Sequence, residues 1–157
     1  RLVAQTGTIY FVGPEVYNFT TLGAGYIFEC NKFNVSFMGN NSVISGVTFH
    51  AVAKSAYNLL FSDLIFKNSN CTVLINDAQN NLVLNCKFIN NTETMIINSA
   101  EDLTINNTKF INNTATSIKS NGTGLTINNV DFINSFFVNA CDAVTDCLFF
   151  YNIKSFI

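Results

Sequence analysis

One phrase recurs three times between Leu82 and Ser135: Leu82-Val-Leu-Asn-Cys-Lys-Phe-Ile-Asn-Asn91, Leu103-Thr-Ile-Asn-Asn-Thr-Lys-Phe-Ile-Asn-Asn113 and Leu125-Thr-Ile-Asn-Asn-Val-Asp-Phe-Ile-Asn-Ser135. Its phenylalanines, Phe88, Phe110 and Phe132, recur at a constant interval of twenty-two positions. A fixed period of this length implies one small supersecondary unit per repeat. No unit can bury its apolar face alone, so the units must stack in a row.

Taking phenylalanine as the zero position extends the series to Phe49, Phe66, Phe88, Phe110, Phe132 and Phe149, with two shorter intervals of seventeen positions flanking three of twenty-two. These six are the expected core ladder. Three positions earlier stand Gly46, Asp63, Asn85, Asn107, Asn129 and Asp146. All are residue types that enter the left-handed backbone region at low cost, so a sharp turn is expected there in every copy. Between turn and phenylalanine stand Val47, Leu64, Cys86, Thr108, Val130 and Cys147. This position alternates inward with the phenylalanine, as in a strand of period two.

A third apolar segment follows at Val73–Ile75, Met95–Ile97, Ile118 and Phe136–Val138. Three short strands and three turns per repeat predict an all-β fold, a right-handed, single-stranded parallel β-helix of about seven coils of 17–22 residues. The density of Asn-Asn and Asn-Thr pairs argues against helices. The chain is expected to form one domain over residues 1–157, with irregular first coils or the remnant of a cap in 1–41 and regular repeats in 42–152. Its apolar tail lacks a polar cap, which predicts continuation into more repeats or end-to-end stacking with further copies.

With 48% hydrophobic residues, sixteen of them phenylalanine, the chain has ample core material. Only 11% of residues are charged and the net charge is −2, with no basic stripe, so nucleic acid is not an expected partner. No apolar run is long enough to insert into a membrane as a helix.

Candidate chemistry is sparse. The single histidine, His50, follows Phe49 at an outward position and is expected to be solvated. The acidic residues are scattered, and the one adjacent pair is Glu101-Asp102. The cysteines, Cys30, Cys71, Cys86, Cys141 and Cys147, show no CxxC spacing, so no zinc site is indicated. Cys86 and Cys147 are expected as buried thiols. Cys141 and Cys147 could also pair across a bend, and the odd count leaves at least one cysteine free or paired between chains. No catalytic residue, metal or cofactor is expected.

Asparagines carry two further expectations. Asn68, Asn90, Asn112 and Asn134, each two residues after a phenylalanine, are expected to stack amide on amide across coils. Asn18, Asn34, Asn40, Asn70, Asn90, Asn106, Asn112 and Asn121 each open an Asn-x-Ser/Thr sequon and are candidate glycosylation sites in an exported chain.

The phrase Leu-Thr-Ile-Asn-Asn-x-x-Phe-Ile-Asn-Asn resembles the right-handed β-helix repeats of large adhesin-like surface proteins of methanogenic archaea. It is also similar to the Phe-x-x-Asn tetrapeptides of bacterial polymorphic outer membrane proteins, matched at Phe88–Asn91, Phe110–Asn113 and Phe149–Asn152. The Gly-Gly-Ala-Ile motif that alternates with those tetrapeptides is missing. The resemblance covers about Ser42 to Asn152. It implies an extracellular or cell-surface stalk, or filament module, with cell-surface glycans or proteins as partners. The rival on the same architecture is a polysaccharide lyase or hydrolase, but its acidic calcium cluster and its Gly-His-Gly and Arg-x-Lys motifs have no match here.

Overall fold

The computed structural model describes residues 2–3, 7–22, 26–52, 56–136, 148–151 and 154–156. Its strands run parallel and stack coil on coil as a β-solenoid with three faces. The first face stacks Gly7–Phe11, the start of Val35–Ser45, the start of Leu60–Lys67, Asn81–Leu84, Leu103–Asn106, Leu125–Asn128 and Leu148–Tyr151. The second stacks Val16–Asn18, the later halves of the same two long strands, Lys87–Ile89, Lys109–Ile111, Asp131–Ile133 and Lys154–Phe156. The third stacks Leu2–Val3, Ile27–Cys30, Thr48–Ala51, Leu74–Asn76, Ile96–Asn98 and Ile118–Ser120. The third apolar segments expected from the sequence at Val73–Ile75, Met95–Ile97 and Ile118 therefore form the third face. Of the fourth, Phe136–Val138, Phe136 bridges to Thr116 and accepts the Ser117 N–H on its carbonyl, and residues 137–138 lie outside the described residues.

Three corners join the faces, and the left-handed residues explain how. Asn41, Asp63, Asn85, Asn107 and Asn129 have φ of 56°, 57°, 54°, 50° and 52° between the first and second faces. After the second face come Gly46, Asn68, Asn90, Asn112 and Asn134, at 73°, 55°, 53°, 51° and 45°. Before the first face come Asn34, Asn58, Asn80, Asp102 and Gly124, at 52°, 54°, 55°, 56° and 68°. Every non-glycine residue of positive φ among the described residues falls in one of these corner sets. Asparagine and aspartate tolerate this conformation because their short polar side chains bond locally, so the abundance of asparagine is a geometric requirement of the coil. The turn expected at Asp63, Asn85, Asn107 and Asn129 is thus present. Asp146 lies outside the described residues.

The core lies between the faces. Leu64, Cys86, Thr108 and Val130 point inward at 0–1% exposure beside the second-face phenylalanines. Phe66, Phe88, Phe110 and Phe132 are stacked in register, with ring centroids 5.0, 4.7 and 5.1 Å apart in turn. Offset stacks of this kind add about 0.5–1.5 kcal/mol per pair to the burial of each ring.

The ends of the expected ladder are elsewhere. Ile44, not Phe49, stands below Phe66, and Ser155, not Phe149, stands above Phe132. Phe49 belongs to the third face between Phe28 and Leu74, and its ring enters the shared interior edge-on to Phe66 at 5.9 Å. Phe149 belongs to the first face opposite Thr126. Gly46 moves with this correction: it occupies the second corner, where its N–H donates to Ser69 Oγ at 3.1 Å. A phenylalanine fills the interior equally well from any face, so residue identity alone does not fix its column.

The shorter coils expected at both ends of the series disappear for the same reason. The central coils keep the twenty-two-position step, as in Leu60 beside Leu82 and Leu82 beside Thr104. The last described step, from Leu125 to Leu148, is one position longer, and the first, from Gly7 to Val35, is longer by six. The segment before residue 42 is therefore irregular in coil length while its strands keep the same stacking. An irregularity between Met38 and Ser42 absorbs extra chain at the first corner.

Candidate functional site

The asparagines do more than turn the chain, and the doublets divide the labour. Asn90 and Asn112 are exposed corner residues, whereas the next residues, Asn91 and Asn113, are buried at 0% and 1% exposure. Asn113 Oδ1 accepts the backbone N–H of Asn91 at 2.9 Å and its side-chain Nδ2 at 3.1 Å. Asn113 Nδ2 donates to the Phe88 carbonyl at 2.9 Å, and Asn91 Nδ2 to that of Phe66 at 3.1 Å. Serines take this place at the ends: the Ser69 N–H donates to Asn91 Oδ1 and its Oγ accepts the Gly46 N–H, while Ser135 Oγ accepts the Asn113 N–H. Ser135 Oγ returns its own proton to the Ile133 carbonyl of its own coil at 3.1 Å, so it asks nothing of the next one.

The internal amide ladder thus stands one residue beyond the expected stack of Asn68, Asn90, Asn112 and Asn134. Of those four, Asn134 Nδ2 donates a hydrogen bond to Asn112 Oδ1 at 3.0 Å, at the exposed corner. Burial decides the difference: an αL corner residue points its side chain outward, and the following residue is the first to turn inward. A second buried ladder runs Asn76 to Asn98 at 2.7 Å and Asn98 to Ser120 Oγ at 3.0 Å. Nothing in the repeated phrase marked Asn76 and Asn98. The Asn of each Phe-x-x-Asn tetrapeptide did mark Asn91 and Asn113.

His50 is not a freely solvated side chain. Its Nε2 lies 3.0 Å from Asp77 Oδ2 on the next coil, with 30% and 33% of the two side chains exposed. Lys109 and Asp131 form a second cross-coil pair at 2.7 Å. Among the described residues no group of three or more His, Cys, Asp or Glu side chains is placed to hold a metal ion. No described helix is long and apolar enough to cross a membrane. Cys86 is a fully buried thiol that contacts the Phe61 and Leu84 carbonyls, and burial pushes its pKa up to about 12. Burial does the same to Cys30, also to about 12. Cys141 and Cys147 lie outside the described residues. Of the sequon asparagines, Asn18, Asn34, Asn40, Asn70, Asn90, Asn112 and Asn121 are exposed. Asn106 is half-buried, with its Oδ1 enclosed and unpartnered.

A recess on the outer surface lies along the third corner. It is a groove of about 350 Å³ with Ala56 and Ala100 in its lining. One wall is a row that climbs the coils: the N–H of Asn34 bonds to the Tyr57 carbonyl, that of Asn58 to Gln79 and that of Asn80 to Glu101, which puts Phe33, Tyr57, Gln79 and Glu101 in one line. Phe33 and Tyr57 stack at 5.2 Å, and Gln79 Nε2 donates to Glu101 Oε2 at 3.2 Å. Asp77 and Ser99 line the groove from the third face. Glu101 and Asp102, adjacent in sequence, separate here: Glu101 joins the wall and Asp102 turns the corner. Compared with known proteins, the chain matches no family model, no curated protein and no solved structure at a significant level.

Proposed function

We propose that this chain is a non-catalytic, extracellular module of the adhesin-like kind, a stiff length of stalk that displays binding surfaces on a cell. The observation that carries the reading is where the polar residues are spent. The asparagine side chains that distinguish the sequence are engaged in corners and in buried ladders between coils, together with the phenylalanine stack. Such ladders tie each coil to its neighbours and make a rod that resists local opening. The resemblance of the Leu-Thr-Ile-Asn-Asn-x-x-Phe-Ile-Asn-Asn phrase to surface-protein repeats supports the same conclusion, as do seven exposed sequon asparagines on one small domain.

Antibodies raised against the chain provide the test. Labelling of intact source cells, abolished by brief external protease treatment, is the expected result. Signal only after cell lysis would overturn the surface assignment, and release of new reducing ends from any polysaccharide by the pure chain would overturn the non-catalytic one.

A further inference from the structure

We propose that the groove along the third corner binds a linear, neutral glycan, with a sugar ring against Tyr57 and the chain lying along the solenoid axis. This rests on reading the protein as a binding module, and it adds the site and the ligand class. The volume of about 350 Å³ falls in the range of small-ligand sites. Its floor uses a position that is small in successive coils: Ala56 and Ala100 line the groove, and Ala78 and Gly122 hold the same place in the repeat. At Gly122, one coil beyond, a Cβ would sit 1.8 Å from the Ala100 carbonyl oxygen, so the two coils approach too closely there for a side chain.

The wall beside this floor changes character along its length, and that change selects the ligand. Tyr57 is 42% exposed with Phe33 packed flat against it, which gives a ring backed by a second ring. Next come an amide and a carboxylate, Gln79 and Glu101, facing the Asp77 carboxylate and the Ser99 hydroxyl. A pyranose presents an apolar C–H face bordered by hydroxyls that both donate and accept. It therefore satisfies an aromatic platform and a mixed set of donors and acceptors together. A polyuronide would set its carboxylates against Asp77 and Glu101. The rise of about 4.8 Å per coil is close to the length of one sugar in an extended chain, so successive wall residues meet successive sugars.

The test uses the full chain with hexasaccharides of β-1,4-linked glucose, mannose and N-acetylglucosamine, hexagalacturonate and hexalysine, each followed by titration calorimetry. At least one neutral hexasaccharide should bind. Tyr57→Ala should weaken it by about tenfold or more, a loss of about 1.4 kcal/mol, and Glu101→Gln by a smaller factor. Lys109→Ala, on the second face, should leave the affinity unchanged. Both groove residues are exposed, so far-UV circular dichroism and melting should confirm that the variants stay folded. Absence of binding to all three neutral probes at millimolar concentration, binding indifferent to both groove variants, or tighter binding of hexalysine or hexagalacturonate would overturn the site while leaving the module reading intact. Shortening of a bound hexasaccharide would instead overturn the non-catalytic reading.

Discussion

Replacing Phe110 by alanine removes a ring that is 0% exposed and stacked on both sides, 4.7 Å from Phe88 and 5.1 Å from Phe132. Loss of a buried phenylalanine side chain costs about 3–5 kcal/mol, including the cavity left behind. Two stacking partners at about 0.5–1.5 kcal/mol each put this site in the upper part of that range. At roughly 2–4 °C per kcal/mol for a domain of this size, the melting temperature should fall by roughly 10–20 °C. The neighbouring Lys109 is the internal control. Its side chain is 49% exposed, and its pair with Asp131 is worth about 0–1 kcal/mol in water. Lys109→Ala should therefore shift the melt by a few degrees at most, and Phe110→Leu should fall between the two. Thermal and urea unfolding followed by circular dichroism reads all three. Equal shifts for Phe110→Ala and Lys109→Ala would refute the continuous ring stack.

Further outcomes follow from the corners, the ladder and the thiols. At Asn107 and Asn129, with φ of 50° and 52°, glycine should be tolerated while valine destabilises by about 1–2 kcal/mol in urea titrations. Asn113→Ala leaves the Phe88 carbonyl and the Asn91 N–H without their buried partner and should cost about 1–3 kcal/mol, whereas Asn112→Gly one residue earlier should cost little. Cys30 and Cys86 ionise near 9.0 in the unfolded chain and near 12 in the folded one, so between those values the unfolded state sheds protons first and stability falls as pH rises. Urea midpoints should drop between pH 8 and pH 10.5, and Cys86→Val should reduce the drop.

How much of this was legible in the sequence follows from which residues repeat and why. The central ladder from Phe66 to Phe132 was readable because a constant step keeps the same residue on the same face. Phe49 and Phe149 were misplaced because a three-faced interior accepts phenylalanine from each side, and the loops that vary in length carry no mark of their register. The corners at Asp63, Asn85, Asn107 and Asn129 were readable from residue type alone. The Phe-x-x-Asn tetrapeptides marked Asn91 and Asn113 but not their burial, since polarity suggests exposure and only the hydrogen bonds to neighbouring coils reverse that expectation. The groove had a signal that went unused, the alanines at positions 56, 78 and 100. What they floor depends on the stacking of the residues that follow them, Tyr57, Gln79 and Glu101, into one wall across the coils. His50 found its partner Asp77, far along the chain, only through coil stacking.

The central claim is that the chain is a stack of coils held in one constant register, and paired cysteines test it most directly. Neighbouring parallel strands lie about 4.8 Å apart, within the span a disulfide bridges. In a background with Cys71, Cys141 and Cys147 replaced by serine, Lys109→Cys with Asp131→Cys joins two residues that face each other across coils. Asp131→Cys with Leu148→Cys joins two that a shorter, seventeen-position coil would bring together but that the observed register separates, since Leu148 stands beside Leu125. Mild oxidation followed by mass spectrometry of proteolytic fragments should give the intramolecular disulfide in the first protein and not in the second. Cross-linking of the second pair, or failure of the first, would contradict the register on which the rod, its ladders and its groove depend.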